Sequence, residues 1–165
     1  MRRNLEYRQK ARRCLQWRAF SFLEVIAVVT LIGIVSLAAI SRFGHSSLEN
    51  LSAEGYARLL QRDLMQARQR TVATGDNHYL SLTTIGGEVT TYTMWRRASG
   101  GDVAVDQART TPTGLTVTAS HTTLEFDFDG SALASYVVTA AGPDRSWQVS
   151  AIPATGLCQV ADVSP

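Results

Sequence analysis

Hydrophobic positions along the chain change their spacing twice. From Phe20 to Ile40 the sequence FSFLEVIAVVTLIGIVSLAAI is apolar at nearly every position and holds one ionisable residue, Glu24. As a helix rising about 1.5 Å per residue this block spans roughly 31 Å, close to the hydrocarbon thickness of a bilayer. Further on, the apolar residues thin to Leu48, Leu51, Tyr56, Leu59, Leu60, Leu64, Ala67 and Val72, with Arg58, Arg62, Asp63, Arg68 and Arg70 between them. Steps of mostly three and four are the period of an amphipathic helix. No proline falls between Phe20 and Thr74, while Gly33, Gly44 and Gly55 weaken a helix locally by about 1 kcal/mol each. The pattern predicts one long helix from Phe20 to about Thr74, its amphipathic part covering 46–74, stopped by Gly75-Asp76-Asn77.

From His78 the period becomes two. Tyr79 and Leu82 lead through Ile85-Gly86-Gly87 into Val89–Trp95, the pattern of a hairpin. A polar, glycine-containing loop follows over Arg96–Asp106. Further strands are predicted at Leu115–Ala119, Thr123–Phe128, Ser135–Ala140, Trp147–Ile152 and Leu157–Val160. Turns are expected at Asp129-Gly130, Gly142-Pro143-Asp144 and Pro153–Gly156. No helical pattern separates these strands, so an antiparallel sheet over 78–161 should pack on the amphipathic part of the helix. The fold class is α+β.

The charge is divided along the chain. Residues 1–19 carry seven basic side chains and one acid, whereas residues 20–165 carry nine basic side chains and thirteen acids. A basic leader before an apolar block keeps the leader in the cytoplasm and sends the remainder across, into the periplasm of a bacterium. Composition is otherwise that of a folded domain, 45% hydrophobic and 18% charged, which excludes disorder and fibrous repeats. Of the two cysteines, Cys14 lies in the leader and Cys158 near the end, so removal of the leader leaves one thiol and no internal disulfide.

Three readings of the apolar block compete. A signal anchor explains length and flank. A secretory signal peptide finds small residues for cleavage at Ser36-Leu37-Ala38-Ala39, although its apolar core is usually about 7–15 residues. The third explains Glu24. A carboxylate inside an apolar span costs a few kcal/mol and marks function by default. If the chain is cut between Ala19 and Phe20, the new α-amino group lies one helical turn from Glu24. In this chain or a neighbour, the two charges can then pair in low dielectric.

The stretch Arg18-Ala19-Phe20-Ser21-Phe22-Leu23-Glu24-Val25, with its basic leader and apolar continuation, resembles the processing motif of type IV prepilins and type II secretion pseudopilins. That family usually has Gly where this chain has Ala19. The resemblance implies an aspartyl prepilin peptidase cutting between Ala19 and Phe20, N-methylation of Phe20, and a role for Glu24 in filament assembly. It implies a leader over 1–19, a transmembrane and filament-core helix over 20–40, and a periplasmic head over 41–165. The implied partners are the peptidase, other pilins or pseudopilins and an inner-membrane assembly platform. Leu59–Arg68 and Phe126-Asp127-Phe128-Asp129-Gly130-Ser131, with a closing Gly156, are similar to minor pseudopilins of the GspH and FimT type. Ala39–Phe43 is nearer to pilins of the mannose-sensitive haemagglutinin type.

Enzyme chemistry is not expected. His45, His78 and His121 are scattered, Ser131 and Ser146 have no partner pattern, and the chain holds no metalloprotease, P-loop, nucleophile-elbow or dinucleotide motif. No cofactor is expected. Asp127, Asp129 and Asp144 carry oxygens suited to calcium but lack regular ligand spacing, so no metal is assigned. Arg58, Arg62, Arg68 and Arg70 define an alternative, a DNA-binding minor pilin. Against it, no Arg or Lys follows Arg145, and an acidic excess follows the span. A signal-anchored periplasmic β-domain is the other alternative. Trp95-Arg96-Arg97 is either an interface hot spot or a hairpin end.

Overall fold

The computed structural model describes residues 21–165, and for 39–47 its backbone alone. The chain divides into two units, Met1–Arg42 and Phe43–Pro165. Helix α1 runs Phe22–Thr74. Ser21 caps it, its carbonyl accepting the amides of Glu24 at 2.9 Å and Val25 at 3.2 Å. At the other end the amide of Gly75 returns to the Thr71 carbonyl at 2.8 Å, and the chain turns away where the sequence places its stop.

In the second unit, strands β1 (His78–Ile85), β2 (Glu88–Arg96), β3 (Val103–Ala104), β4 (Arg109–Thr110), β5 (Thr116–Ala119), β6 (Thr123–Phe126), β7 (Tyr136–Ala141), β8 (Ser146–Ala151) and β9 (Cys158–Asp162) follow α1. All pairings are antiparallel, as expected for strands joined without helices. The expected single sheet is instead two. One runs β3-β2-β1-β6 with β4 also on β2, and the other runs β5-β7-β8-β9. The division falls between β6 and β7, where pairing shrinks to one bridge, Phe126 with Ala132. There the Tyr136 hydroxyl replaces a strand. It accepts the Glu125 amide at 2.9 Å and donates to the Glu125 carbonyl at 3.0 Å, binding the second sheet to the edge of the first.

The core lies between the head segment of α1 and both sheets. Leu60 and Leu64 of the helix meet Leu80, Val89, Tyr92, Val117, Leu124, Phe126, Val138 and Val149, all fully buried. Removing each such side chain from water contributes about 1.5–3 kcal/mol. Tyr56 meets Tyr92 edge-to-face, 6.0 Å between ring centres at 80°.

The helix face differs from its apolar spacing. Leu48, Leu51 and Val72 point outward, 64%, 65% and 54% exposed, whereas Ala53, Ala57, Asp63 and Thr71 are buried. Small alanines let the sheets approach the helix closely. The buried polar residues are accepted because each finds a partner. Thr71, for instance, donates to the Ala67 carbonyl and receives the His78 amide at 2.9 Å.

Candidate functional site: the start of helix α1 and the surfaces of the head

Over residues 22–38 α1 has no polar side to bury. Phe22, Leu23, Val25, Ile26, Val28, Val29, Leu31, Ile32, Ile34, Val35 and Leu37 are all exposed, so this segment needs an apolar surrounding that the described residues do not supply. Its Thr30 hydroxyl is satisfied within the helix, on the Ile26 and Ala27 carbonyls at 2.9 Å each. Glu24 sits exposed in the first turn with no side-chain partner among the described residues. The predicted cleavage pair, Ala19 and Phe20, lies outside the described residues. Among the described residues no helix is long and apolar enough to cross a membrane. The expected span begins before them and ends beyond the described side chains. Its described part, residues 22–38, measures about 26 Å as helix, short of a full crossing.

In the head, the motif residues of the turn after β6 come together with the helix. The Arg68 guanidinium donates from Nε to the Gly130 carbonyl at 2.9 Å. Gly156, from the β8–β9 turn, lies against that same carbonyl, and a Cβ there would meet it and stand 2.8 Å from Arg68 Nε. A Cβ on Gly130 would stand 2.8 Å from Val72. Helix, β6–β7 turn and β8–β9 turn therefore meet at one point without room for a methyl group.

A second junction was not legible in the sequence. Asp63 is buried and its Oδ2 accepts the Tyr92 hydroxyl at 2.9 Å and Arg109 Nε at 2.7 Å, while Oδ1 has no hydrogen bond. Burial, then the adjacent Asp63 carboxylate, pushes the Tyr92 phenol up. Arg109 lies in two-residue β4, so this contact fastens the β2–β5 connection to the helix, helped by Arg70 to Asp106 at 3.7 Å.

Trp95-Arg96-Arg97 takes the hairpin-end role. Arg97 grips Glu125 with two bonds, Nε to Oε1 at 3.0 Å and Nη2 to Oε2 at 2.9 Å, and reaches Asp102 at 2.9 Å. It also lies 4.7 Å from the centre of the Tyr79 ring, whose hydroxyl donates to Asp102 at 2.7 Å. Burial, then the Asp102 bond, pushes the Tyr79 phenol up to about 12. The Arg97 bonds hold the Glu125 carboxyl below its ordinary value of 4.5. A carboxyl lowered on folding adds stability that is complete above its unfolded value and is lost as pH falls through the folded one. Thermal melts should therefore show Tm declining below about pH 4.5, and Glu125→Gln should lower Tm at pH 7 while flattening that acid decline.

The remaining candidates are dispersed. Asp127 Oδ1 accepts the Phe128 amide, Asp129 Oδ1 accepts the Ser131 amide, and Asp144 belongs to a different turn that docks on Asn50. No three His, Cys, Asp or Glu side chains come together as a metal site among the described residues. His78 is buried with Nδ1 on the Asp76 carbonyl, and His121 packs edge-on to Tyr136. His45 lies among the side chains left out of the description. Arg58 pairs with Glu54 at 2.8 Å, whereas Arg62, 71% exposed, makes only a 4.0 Å approach to Asp63. The Cys158 thiol is buried, which pushes it up to about 11.

Two antiparallel sheets packed on the head segment of helix α1 make this an α+β fold of the type IV pilin-like minor pseudopilin kind. The structure of the minor pseudopilin EpsH from the type 2 secretion system of Vibrio cholerae superimposes with a TM-score of 0.56 at 13% identity, covering 69% of this chain and 98% of EpsH. The type IV minor pilin FimU of Pseudomonas aeruginosa gives 0.55 at 18% identity, covering 70% and 90%. The sequence matches no protein-family model and no curated protein.

Proposed function

We propose that the chain is a minor pilin or pseudopilin, cut between Ala19 and Phe20 by a prepilin peptidase, methylated at Phe20 and assembled into or at the tip of a secretion pseudopilus or type IV pilus. It acts as a structural and interaction subunit without catalysis of its own. The observation that carries this is the exposed, largely apolar start of α1, interrupted by one carboxylate with no partner among the described residues, in a chain whose head has the pilin-like fold. Such a surface is satisfied by lipid before assembly and by neighbouring helices after it. Glu24 meets an α-ammonium in the second setting, where both charges would otherwise be uncompensated. The leader stays cytoplasmic, the head faces the periplasm, and the inner-membrane platform extracts the subunit.

The test is the N-terminal residue and mass of the membrane-extracted chain, with and without an active prepilin peptidase. A chain beginning at methylated Phe20 only when the peptidase is present supports the reading. An intact Met1 or a cut near Ala39 rejects it in favour of a signal-anchored or secreted β-domain.

A further inference from the structure

At nine residues, β2 is the longest strand among those described. Its stretch Val89–Trp95 reads VTTYTMW, rich in strand formers and without charge, proline or glycine. A bare edge of that composition is a template for pairing with another chain. One edge of β2 is taken by β1 along its whole length. The other is covered by a strap, residues 103–111. Trp95 and Arg96 pair there with Ala104 and Val103, and Thr91 and Tyr92 with Thr110 and Arg109. The amides of Val105 and Thr111 donate to the Met94 and Thr90 carbonyls at 2.8 Å each.

The strap has little packing to hold it. No residue from 95 to 116 is buried, and Val103 is 47% exposed. From Ala104 to Arg109 the strap takes five steps beside three of β2, Trp95 to Tyr92. The surplus bows out, and Asp106, Gln107, Ala108 and Arg109 line a depression of about 310 Å³. Few buried apolar contacts and solvent-facing main-chain bonds mark a segment that opens ahead of the rest.

Two ion pairs to helix α1 oppose that opening. Arg70 to Asp106, at 3.7 Å, is half-buried on both sides. Arg109 to Asp63, at 2.7 Å, ends on a carboxylate side chain only 3% exposed. The same Asp63 Oδ2 accepts the Tyr92 hydroxyl, so one buried group holds both the strand and its cover. Asp63 Oδ1 has no hydrogen bond, and Arg62 approaches it only to 4.0 Å. Loss of Arg109 therefore leaves a buried charge that water must reach, and departure of the strap admits that water.

We propose that the strap 103–111 is a hinged guard over the β2 edge, latched to α1 by the Asp63–Arg109 pair. It opens as a unit while both sheets stay folded, and the edge it uncovers pairs antiparallel with the β2 edge of a second copy. Like edges meet, so the pairing closes on itself as a two-fold contact, and the latched strap prevents it. This goes beyond the filament-subunit reading and does not depend on a cut at Phe20.

The experiment uses the full-length chain in detergent with Cys14 replaced by Ser. Hydrogen exchange of the otherwise unchanged chain should show 103–111 exchanging together, ahead of β1 and β7. Arg109→Gln should speed the strap about a hundredfold and leave β1 and β7 within about twofold. Asp106→Asn, which releases only the half-buried pair, should speed it about twofold and serves if Arg109→Gln does not fold. Thr91→Cys with Thr110→Cys then locks the strap. These positions are direct partners flanked by the Thr111–Thr90 bond, a spacing of about 4.5 Å between Cα atoms that a disulfide accepts. In the Arg109→Gln background, untagged copies should co-purify with tagged ones about fivefold more when the lock is reduced than when it is oxidised with diamide. Strap exchange that waits for unfolding of β1, Arg109→Gln speeding the whole head equally, or co-purification indifferent to the lock overturns the proposal.

Discussion

Gly156→Ala should destabilise the head by about 3 kcal/mol, lowering Tm by roughly 10 °C, one of the largest effects of a single methyl group anywhere in the chain. Two costs add. Gly156 has φ +61°, a left-handed conformation that costs an L-residue about 1–2 kcal/mol. The added Cβ would also strike the Gly130 carbonyl, which is backbone and cannot swing aside, and crowd Arg68 Nε at 2.8 Å. Relief requires moving the β8–β9 turn off the β6–β7 turn, which breaks the Arg68–Gly130 bond. Gly86→Ala separates the two costs. Gly86 has φ +64° in the β1–β2 turn but nothing within 4 Å of a Cβ, so it should lose only the conformational part, about 1–2 kcal/mol. Denaturant unfolding of both variants checks the difference; equal losses would mean that the junction yields without cost.

The second large effect concerns Glu24. On the proposed function, Glu24→Ala should leave a cut before Phe20 intact, because that cut would fall at the leader boundary, yet reduce the mature chain recovered in sheared filaments by about 100-fold. Removing one partner of a desolvated ion pair costs about 3–5 kcal/mol, since the remaining ammonium is left uncompensated. Membrane insertion should move the other way, easier by roughly 2.5 kcal/mol without the carboxylate. Glu24→Gln keeps shape and hydrogen bonding without charge, and should fail nearly as badly as Ala. Wild-type recovery in filaments for Glu24→Gln would mean that the charge is not what assembly uses. The assay is the ratio of mature chain in filament and membrane fractions.

Much of the head was legible because its signals are local. Alternating Thr, Val and Tyr mark β1, β2, β5 and β7 to within about two residues, and Gly86-Gly87, Gly130 and Gly156 mark turns that need left-handed backbone. The helix stop at Gly75 is equally local. What escaped depends on partners distant along the chain. Asp63 reads as a surface residue among arginines; only Tyr92 and Arg109, brought by β2 and β4, make its burial tolerable. Leu48, Leu51 and Val72 fit the apolar spacing yet face outward, because Ala53 and Ala57 draw the sheets onto the adjacent face. The tie between the two sheets runs through one hydroxyl, that of Tyr136, and no pattern in the sequence distinguishes it from any other strand tyrosine. The candidate site was readable at Glu24, whose cost in an apolar run is intrinsic.

The polar side chains of α1 fasten the head largely through main-chain atoms of other segments. Asn50 takes the amides of Asp144 and Arg145, Gln61 donates to the Cys158 carbonyl at 2.9 Å, Arg68 to the Gly130 carbonyl, and Thr71 receives the His78 amide. A main-chain atom is present whatever residue carries it. The strands and turns can therefore exchange their outward side chains over evolutionary time without loosening their attachment, so long as a few helix positions keep their reach. Drift of that kind would leave the attachment of strands to helix unchanged while the outer faces of the head altered.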